Sequence, residues 1–453
     1  MKKSLLALAA MGAFAGAAQA QSSVTVYGIL DVGYIQQAVR NAGTTNGTGA
    51  NGGGVGNAGY GVGNTAQSGF GNSAETTSRL GFRGTEDLGG GNAAIFTVEI
   101  GLQPMAAAAL QANNRQSWLG VRTKGIGDVT IGMQYTPTHE AVAVTDPGQQ
   151  NNMPGNIIYP ADASVNSANS NAATQGNYVG PNAPTYVVGT QGGPGTGNTG
   201  YVVRASNSIR WMSERVAGIQ GKLMYVNSGN TTNPSSTVAA GVTTQGGGQV
   251  TSSGWMAGLD YTWQKLQVVG AYTALQQKTY AQQITNATGL SNLGMTASGT
   301  TWNGVNTDET SYYLAGTYDF GILKAYVQYI NRKMSADNNS NIYAQRTGQQ
   351  IGVRGFVTKT VEAWASGGTG KITNNYYATA GTLTATNNVG TTMTAYQLGT
   401  NYWLSKRTNL YGIFGLERTG NANYPVNSNG TTATINSVSN GISSYALGIR
   451  HTF

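Results

Sequence analysis

The chain has no cysteine, so neither a disulfide framework nor a thiolate nucleophile or metal site can form. Charge is nearly as scarce: only 9% of residues are Asp, Glu, Lys or Arg, against about a quarter in an ordinary soluble domain. After the first twenty residues no apolar run is long enough for a membrane-crossing helix, and the mean hydropathy is −0.24. Histidine occurs twice, as His139 and His451, which leaves too few ligands for a His/Cys metal site and no partner set for a Ser-His-Asp hydrolase. The excess of Lys and Arg gives +8, but these residues are scattered singly and form no basic run able to track a phosphate backbone. Enzyme, nucleic-acid-binding and helical membrane classes are thereby disfavoured, and no cofactor is expected.

What is abundant is glycine (67) and tyrosine (25, against 8 Phe and 7 Trp). Lys2 and Lys3, the apolar run 5–18 and the site Ala18-Gln19-Ala20 form a secretory signal peptide over residues 1–20, so the mature chain is expected to start at Gln21. In the last dozen residues Tyr445, Leu447, Ile449, His451 and Phe453 share one parity, and Ala446, Gly448, Arg450 and Thr452 share the other. An amphipathic strand that ends on an aromatic is what a closed ring predicts, because its last strand pairs with its first.

The same alternation recurs along the chain. Strands are expected near 21–34, 78–85, 93–102, 117–122, 129–135, 207–213, 219–226, 254–263, 266–278, 310–319, 322–332, 345–357, 360–367, 394–404, 408–418 and 442–453. Short turns such as 86–92, 125–128, 264–265 and 320–321 alternate with long polar segments such as 41–72 and 136–200, which read as loops. Sixteen strands joined alternately by short and long connections predict an all-β, antiparallel transmembrane barrel over 21–453, with short periplasmic turns and long external loops. Tyr261, Tyr272, Tyr318, Tyr329, Tyr402 and Tyr411, with Trp211, Trp255, Trp263 and Trp403, are expected in its interfacial aromatic girdles. The string Gly54-Val55-Gly56-Asn57-Ala58-Gly59 matches a dinucleotide fingerprint, but no buried strand and helix flank it.

Five motifs, SRLGFRGTEDLGGG (78–91), NRQSWLGV (114–121), NSIRW (207–211), LSKRTNLY (404–411) and GIRHTF (448–453), resemble the signatures of the general porins of Gram-negative bacteria, in the branch typical of betaproteobacteria. The resemblance implies an outer-membrane channel for passive diffusion of small hydrophilic solutes and ions, assembled as a homotrimer within outer-membrane lipid and lipopolysaccharide. It also implies that segment 136–200 folds inward, its acids facing a row of basic side chains. By motif the row would be Arg79, Arg83, Arg115 and Arg204; the acids available are Glu140, Asp146 and Asp162. Parity supports Arg79 and Arg83, opposite Leu80 and Phe82, and places Arg210, Lys324, Tyr326 and Gln328 on the lumen side. Arg115 shares parity with Leu119 and Val121, so only a bulge turns it inward.

Two departures from the family pattern stand out. Met133 occupies a position where the family has Arg, and the family's Pro-Glu-Phe-Gly-Gly tip of the inward loop is missing. With the basic row fuller than the acidic one, a modest anion preference is expected. Phe453 is expected to be read by the barrel-assembly machinery, as a terminal Phe is in that family. The alternative from another class is a surface adhesin or display barrel, in which the Gly/Asn/Thr loops do the work.

Overall fold

A computed structural model describes residues 23–44, 61–105, 113–160, 178–179, 200–239, 242–280, 283–285, 301–303, 307–337, 339–375, 377–379, 382–384, 389–428 and 431–453. The expected signal peptide, the fingerprint string at 54–59 and Asp162 lie outside these residues. Sixteen antiparallel strands close into one barrel. They are β1 (Ser23–Thr44), β2 (Arg79–Gly89), β3 (Asn92–Gly101), β4 (Asn113–Thr123), β5 (Gly127–Tyr135), β6 (Arg204–Met212), β7 (Ile219–Ala239) and β8 (Val242–Trp263). The second half comprises β9 (Leu266–Tyr280), β10 (Thr307–Asp319), β11 (Lys324–Ala336), β12 (Asn339–Phe356), β13 (Val361–Asn374), β14 (Val389–Trp403), β15 (Thr408–Ser428) and β16 (Thr431–Thr452). The ring closes between β1 and β16, in register from Ile29↔Thr452 to Val39↔Ile442 and beyond.

Period-two patterning sets which side faces lipid. In β10, Tyr312 and Leu314 are exposed on the outside while Tyr313 and Ala315 are buried inside. Trp255, Trp263, Tyr261, Tyr272, Tyr318, Tyr329 and Tyr402 are exposed, as girdle residues should be. Tyr411 and Trp403 are not: Tyr411 is buried and donates to Asp31 Oδ1 at 2.6 Å, and Trp403 Nε1 donates to Glu362 at 3.2 Å. Their polar tips serve internal carboxylates rather than the interface.

Segment 41–72 is not simply a loop. Gly61–Asn72 pairs with the upper half of β1, from Val32↔Asn72 to Gly43↔Gly61, and so continues the line of β2. Main-chain pairing needs no apolar side chain to bury, which is why Gly/Asn/Thr composition did not announce it. For the same reason β7, β8, β15 and β16 run well past the expected strands, to 21 or 22 residues each. The line from the arm to β2 breaks at 73–78, where Asp31 Oδ2 accepts from the backbone of Glu75 (2.8 Å) and Thr76 (2.6 Å).

Inside the ring, residues 136–160 form the core. Thr136 caps α1 (Pro137–Thr145), its Oγ1 accepting from His139 N at 3.2 Å, with Pro137 at the first helical position. Ala141, Val142, Ile158 and Tyr159 pack on Val269, Ala271, Tyr313, Ala315 and Ile330 of the wall. Farther along, Met153 packs on Trp364 and Tyr411, and Ile157 on Ile372 and Met393. Each such aliphatic side chain contributes about 1.5–3 kcal/mol to holding the segment down. The closest approach is at Gly415, where a Cβ would stand 1.8 Å from Pro154 O, so the wall carries glycine there.

Candidate pore constriction

The inward segment packs on the wall from β6 round to β16 and β1. Three guanidiniums gather beside it, on β2, β4 and β6. Arg115 turns inward because the β3–β4 register shifts between Glu99↔Gln116 and Ile100↔Asn114, making it the bulged residue. Its Nε donates to Glu99 Oε1 at 2.7 Å and its Nη2 to Tyr135 OH at 2.9 Å. Arg79 Nη1 lies 3.7 Å from the same carboxylate oxygen, and its Nε donates to Thr77 O at 2.9 Å. Arg204, directly opposite Tyr135 in the ladder, holds its guanidinium 5.4 Å from that ring's centroid. A bulge between Gly132 and Gln134 lies at Met133, and the third positive charge comes from Arg204 on the neighbouring strand.

Glu99 is the carboxylate that serves this cluster, and it sits on the wall itself rather than on the inward segment. It is 2% exposed, with Tyr27 OH donating to Oε2 at 3.1 Å. Three cations against one anion leave the cluster two net positive charges, with Arg115 and Arg204 each 4% exposed and Arg79 the partly exposed member. Glu99 shares parity with Ile95 and Thr97, and a lone acid in the otherwise uncharged, largely apolar strand NAAIFTVEIG (92–101) was the signal that could have found it.

The expected acids take other partners. Glu140 lies on α1 and pairs with Arg210 Nη1 at 2.6 Å and Lys222 Nζ at 2.7 Å. Arg210 is therefore a buried anchor for α1 more than a free lumen charge. Asp146 is buried; it accepts from Gln150 N (2.6 Å), Asn156 Nδ2 (2.8 Å) and Gln350 Nε2 (3.2 Å). Burial raises its pKa above the usual carboxylate range, against these hydrogen bonds and the field of Arg354. Neither acid touches the arginine row. Arg354 Nη1 donates to Pro147 O and its fork grips Glu362 at 2.6 and 2.8 Å, an attachment point that sequence reasoning missed.

Gln328 also lies under the segment. It donates to Tyr313 OH at 2.9 Å and accepts from Gln350 at 3.0 Å, while Tyr313 OH meets Thr145 Oγ1 at 2.6 Å. Lys324 and Tyr326 remain half-buried on the lumen side, Nζ 5.3 Å from the ring centroid. Arg83 sits apart from the cluster, exposed, over the ring of Tyr27 at 5.4 Å.

His139 ties the two sides together. Its ring stacks on Tyr135 at 4.4 Å, and its Nδ1 lies 3.2 Å from Tyr201 OH and 3.1 Å from Gln150 Nε2. Burial, then the positive fields of Arg204, Arg115 and Arg79, push its pKa well below the usual imidazole value, so it packs as a neutral ring. Among the described residues no three of His, Cys, Asp and Glu assemble into a metal site. At the barrel seam, Phe453 exchanges backbone hydrogen bonds with Gly28, both 3.1 Å, and its ring lies over that glycine, where a Cβ would be 2.3 Å from Cζ.

Comparison with known proteins places this geometry. A model of the Gram-negative porin family matches residues 7–422. An outer membrane porin protein of Bordetella pertussis is 34% identical over 154 residues, 32% of this chain and 37% of that protein. Outer membrane porin protein 32 of Delftia acidovorans is 36% identical over 148 residues, 32% of this chain and 35% of that protein. The chain thus aligns with little more than a third of the length of these curated relatives. Among solved structures, an anion-selective porin from Comamonas acidovorans has a TM-score of 0.56 at 20% identity, covering 96% of this chain and all of that one. In vitro folded OmpT of Vibrio cholerae has a TM-score of 0.53 at 12% identity, covering 95% of this chain and 98% of that one. At these identities the two structures speak to the fold.

Proposed function

The chain belongs to the Gram-negative porin family, and on that premise we propose that it is an outer-membrane channel through which small hydrophilic solutes and ions diffuse passively, with a modest preference for anions. The observation that carries the reading is the cluster of Arg79, Arg115 and Arg204 against Glu99 on the inner wall, beside the inward segment. Fixed charge at a narrow, water-filled passage enriches counter-ions and depletes co-ions, and uncharged side chains there replace part of a solute's hydration shell. No covalent step is involved.

That the Comamonas neighbour is an anion-selective porin supports the sign of the preference. A homotrimeric assembly, which the family resemblance implies, belongs to the same proposal. Cleavage after Ala20, insertion by the barrel-assembly machinery through Phe453, and contact with outer-membrane lipid and lipopolysaccharide complete the proposal. Family membership favours this channel over a display barrel. Reconstitution in planar bilayers tests it: stepwise conductance in threes, with a reversal potential on the anion side in a salt gradient, is expected. A cation-side potential would overturn the charge assignment.

A further inference from the structure

We propose that the lumen wall carries a second anion station, a pocket around Arg83 near the short-turn end of the barrel that binds small hydroxylated carboxylates; this rests on the channel reading above. Arg83 lies four residues along β2 from Arg79, about 13 Å at ~3.3 Å per residue. Tyr27 separates the two places. Its ring lies under the Arg83 guanidinium at 5.4 Å, while its hydroxyl donates to Glu99 at 3.1 Å. The carboxylate that compensates the upper cluster is thereby held on the far side of Tyr27. Among the described residues no carboxylate stands within ion-pair distance of Arg83.

The half-open pocket beside Arg83 has a volume of about 300 Å³ and is lined by Ser23, Thr25, Thr85, Thr97 and Trp118. Four adjacent strands deliver them in register: Thr25↔Arg83 and Ser23↔Thr85 across β1–β2, Arg83↔Thr97 across β2–β3, and Thr97↔Trp118 across β3–β4. Arg122 at the rim is held by both oxygens of Asp128, at 2.7 and 2.9 Å, and so adds no net charge. The pocket therefore offers one uncompensated guanidinium, four hydroxyls and one indole. A guanidinium fork takes a carboxylate in two parallel bonds. The hydroxyls, each both donor and acceptor, match hydroxyl groups on the body of the ligand, and the indole gives that body a flat apolar side. A volume of this size suits a six-carbon sugar acid and exceeds what acetate or sulfate would fill.

The test is single-channel recording with gluconate, glucose, acetate or sulfate added to each side in turn. Gluconate is expected to interrupt the current, more strongly from one side than the other, at concentrations where glucose and acetate do not. Arg83→Gln should weaken its binding at least about tenfold. Thr97→Val, which keeps the charge, should weaken it about threefold, and serves as the probe should Arg83→Gln fail to assemble. Arg79→Gln should alter ion selectivity yet retain the gluconate block. An undiminished block in both Arg83→Gln and Thr97→Val would overturn the site, and equal block by acetate or sulfate would overturn the ligand class. Failure of the channel reading would look different, since the parent protein would then show no stepwise conductance at all.

Discussion

Replacing Glu99 by Gln should make the channel more anion-selective by an amount that can be worked out. The substitution removes the one negative charge that pairs with Arg115 at 2.7 Å and Arg79 at 3.7 Å, and raises the net charge of the cluster by one. For an ion passing roughly 8 Å away, one Debye length at physiological salt, a unit charge in water contributes roughly 0.5 kcal/mol unscreened and roughly 0.2 kcal/mol screened. Anions gain and cations lose the same amount, so their permeability ratio should rise by about two- to sixfold. The amide keeps an oxygen for Arg115 Nε, so the barrel should still assemble, which heat-modifiable gel mobility would check. Reversal potentials in a tenfold KCl gradient give the ratio. Glu140→Gln is the comparison, because Glu140 is occupied by Arg210 and Lys222 away from the cluster. An unchanged or reduced anion preference in Glu99→Gln, or a larger shift in Glu140→Gln, would refute the assignment of Glu99 as the controlling acid.

Other consequences concern how the inward segment is held and how the barrel is closed. Gly415→Ala puts a methyl group into Pro154 O and should displace the segment, raising single-channel conductance; unchanged conductance in assembled barrels would contradict the packing. His139 has a depressed pKa in the docked segment, so its contribution to docking is complete above the free imidazole value of about 6.5 and is lost as pH falls through the docked value. Asp146, whose pKa burial raises, acts with the opposite sign: its contribution is greatest in acid and declines as pH rises through the docked value. Channel closures or noise should therefore increase in acid for the parent and less so for His139→Gln, an idea that equal acid responses would sink. Phe453→Ala removes the ring over Gly28 and should lower the yield of assembled trimer while leaving the conductance of the assembled fraction unchanged.

The strands were legible because their alternation is imposed by lipid on one side and water on the other, and that pattern survives without any tertiary information. The arginine row was legible in part. Arg79 followed from parity, but Arg115 depended on a bulge, and a single inserted residue reverses every side chain beyond it. Arg83 has the right parity yet stands too far along β2 to join the cluster, since facing the lumen does not fix height within it. The acids of the inward segment do not meet the row for a different reason: Glu140 has closer cations on β6 and β7, and Asp146 is taken up by amides. Helix α1 was not expected, because segment 136–200 reads as a polar loop; its cap at Thr136, followed by Pro137, is seen in the structure. The arm Gly61–Asn72 had no signal of its own, because its order comes from the backbone of β1.

Amide side chains do much of the fastening of the inward segment. Gln397 holds Asn151 at 2.6 and 3.0 Å, Asn152 reaches Ser73 O at 2.7 Å, and Gln350 accepts from Ile157 N at 3.0 Å. Neutral hydrogen bonds of this kind are not screened by electrolyte, whereas the field of the arginine cluster is. The width of the passage and its ionic bias should thus answer to different features of the medium. A cell moving from fresh to saline water would keep the same molecular sieve while its discrimination between anions and cations faded.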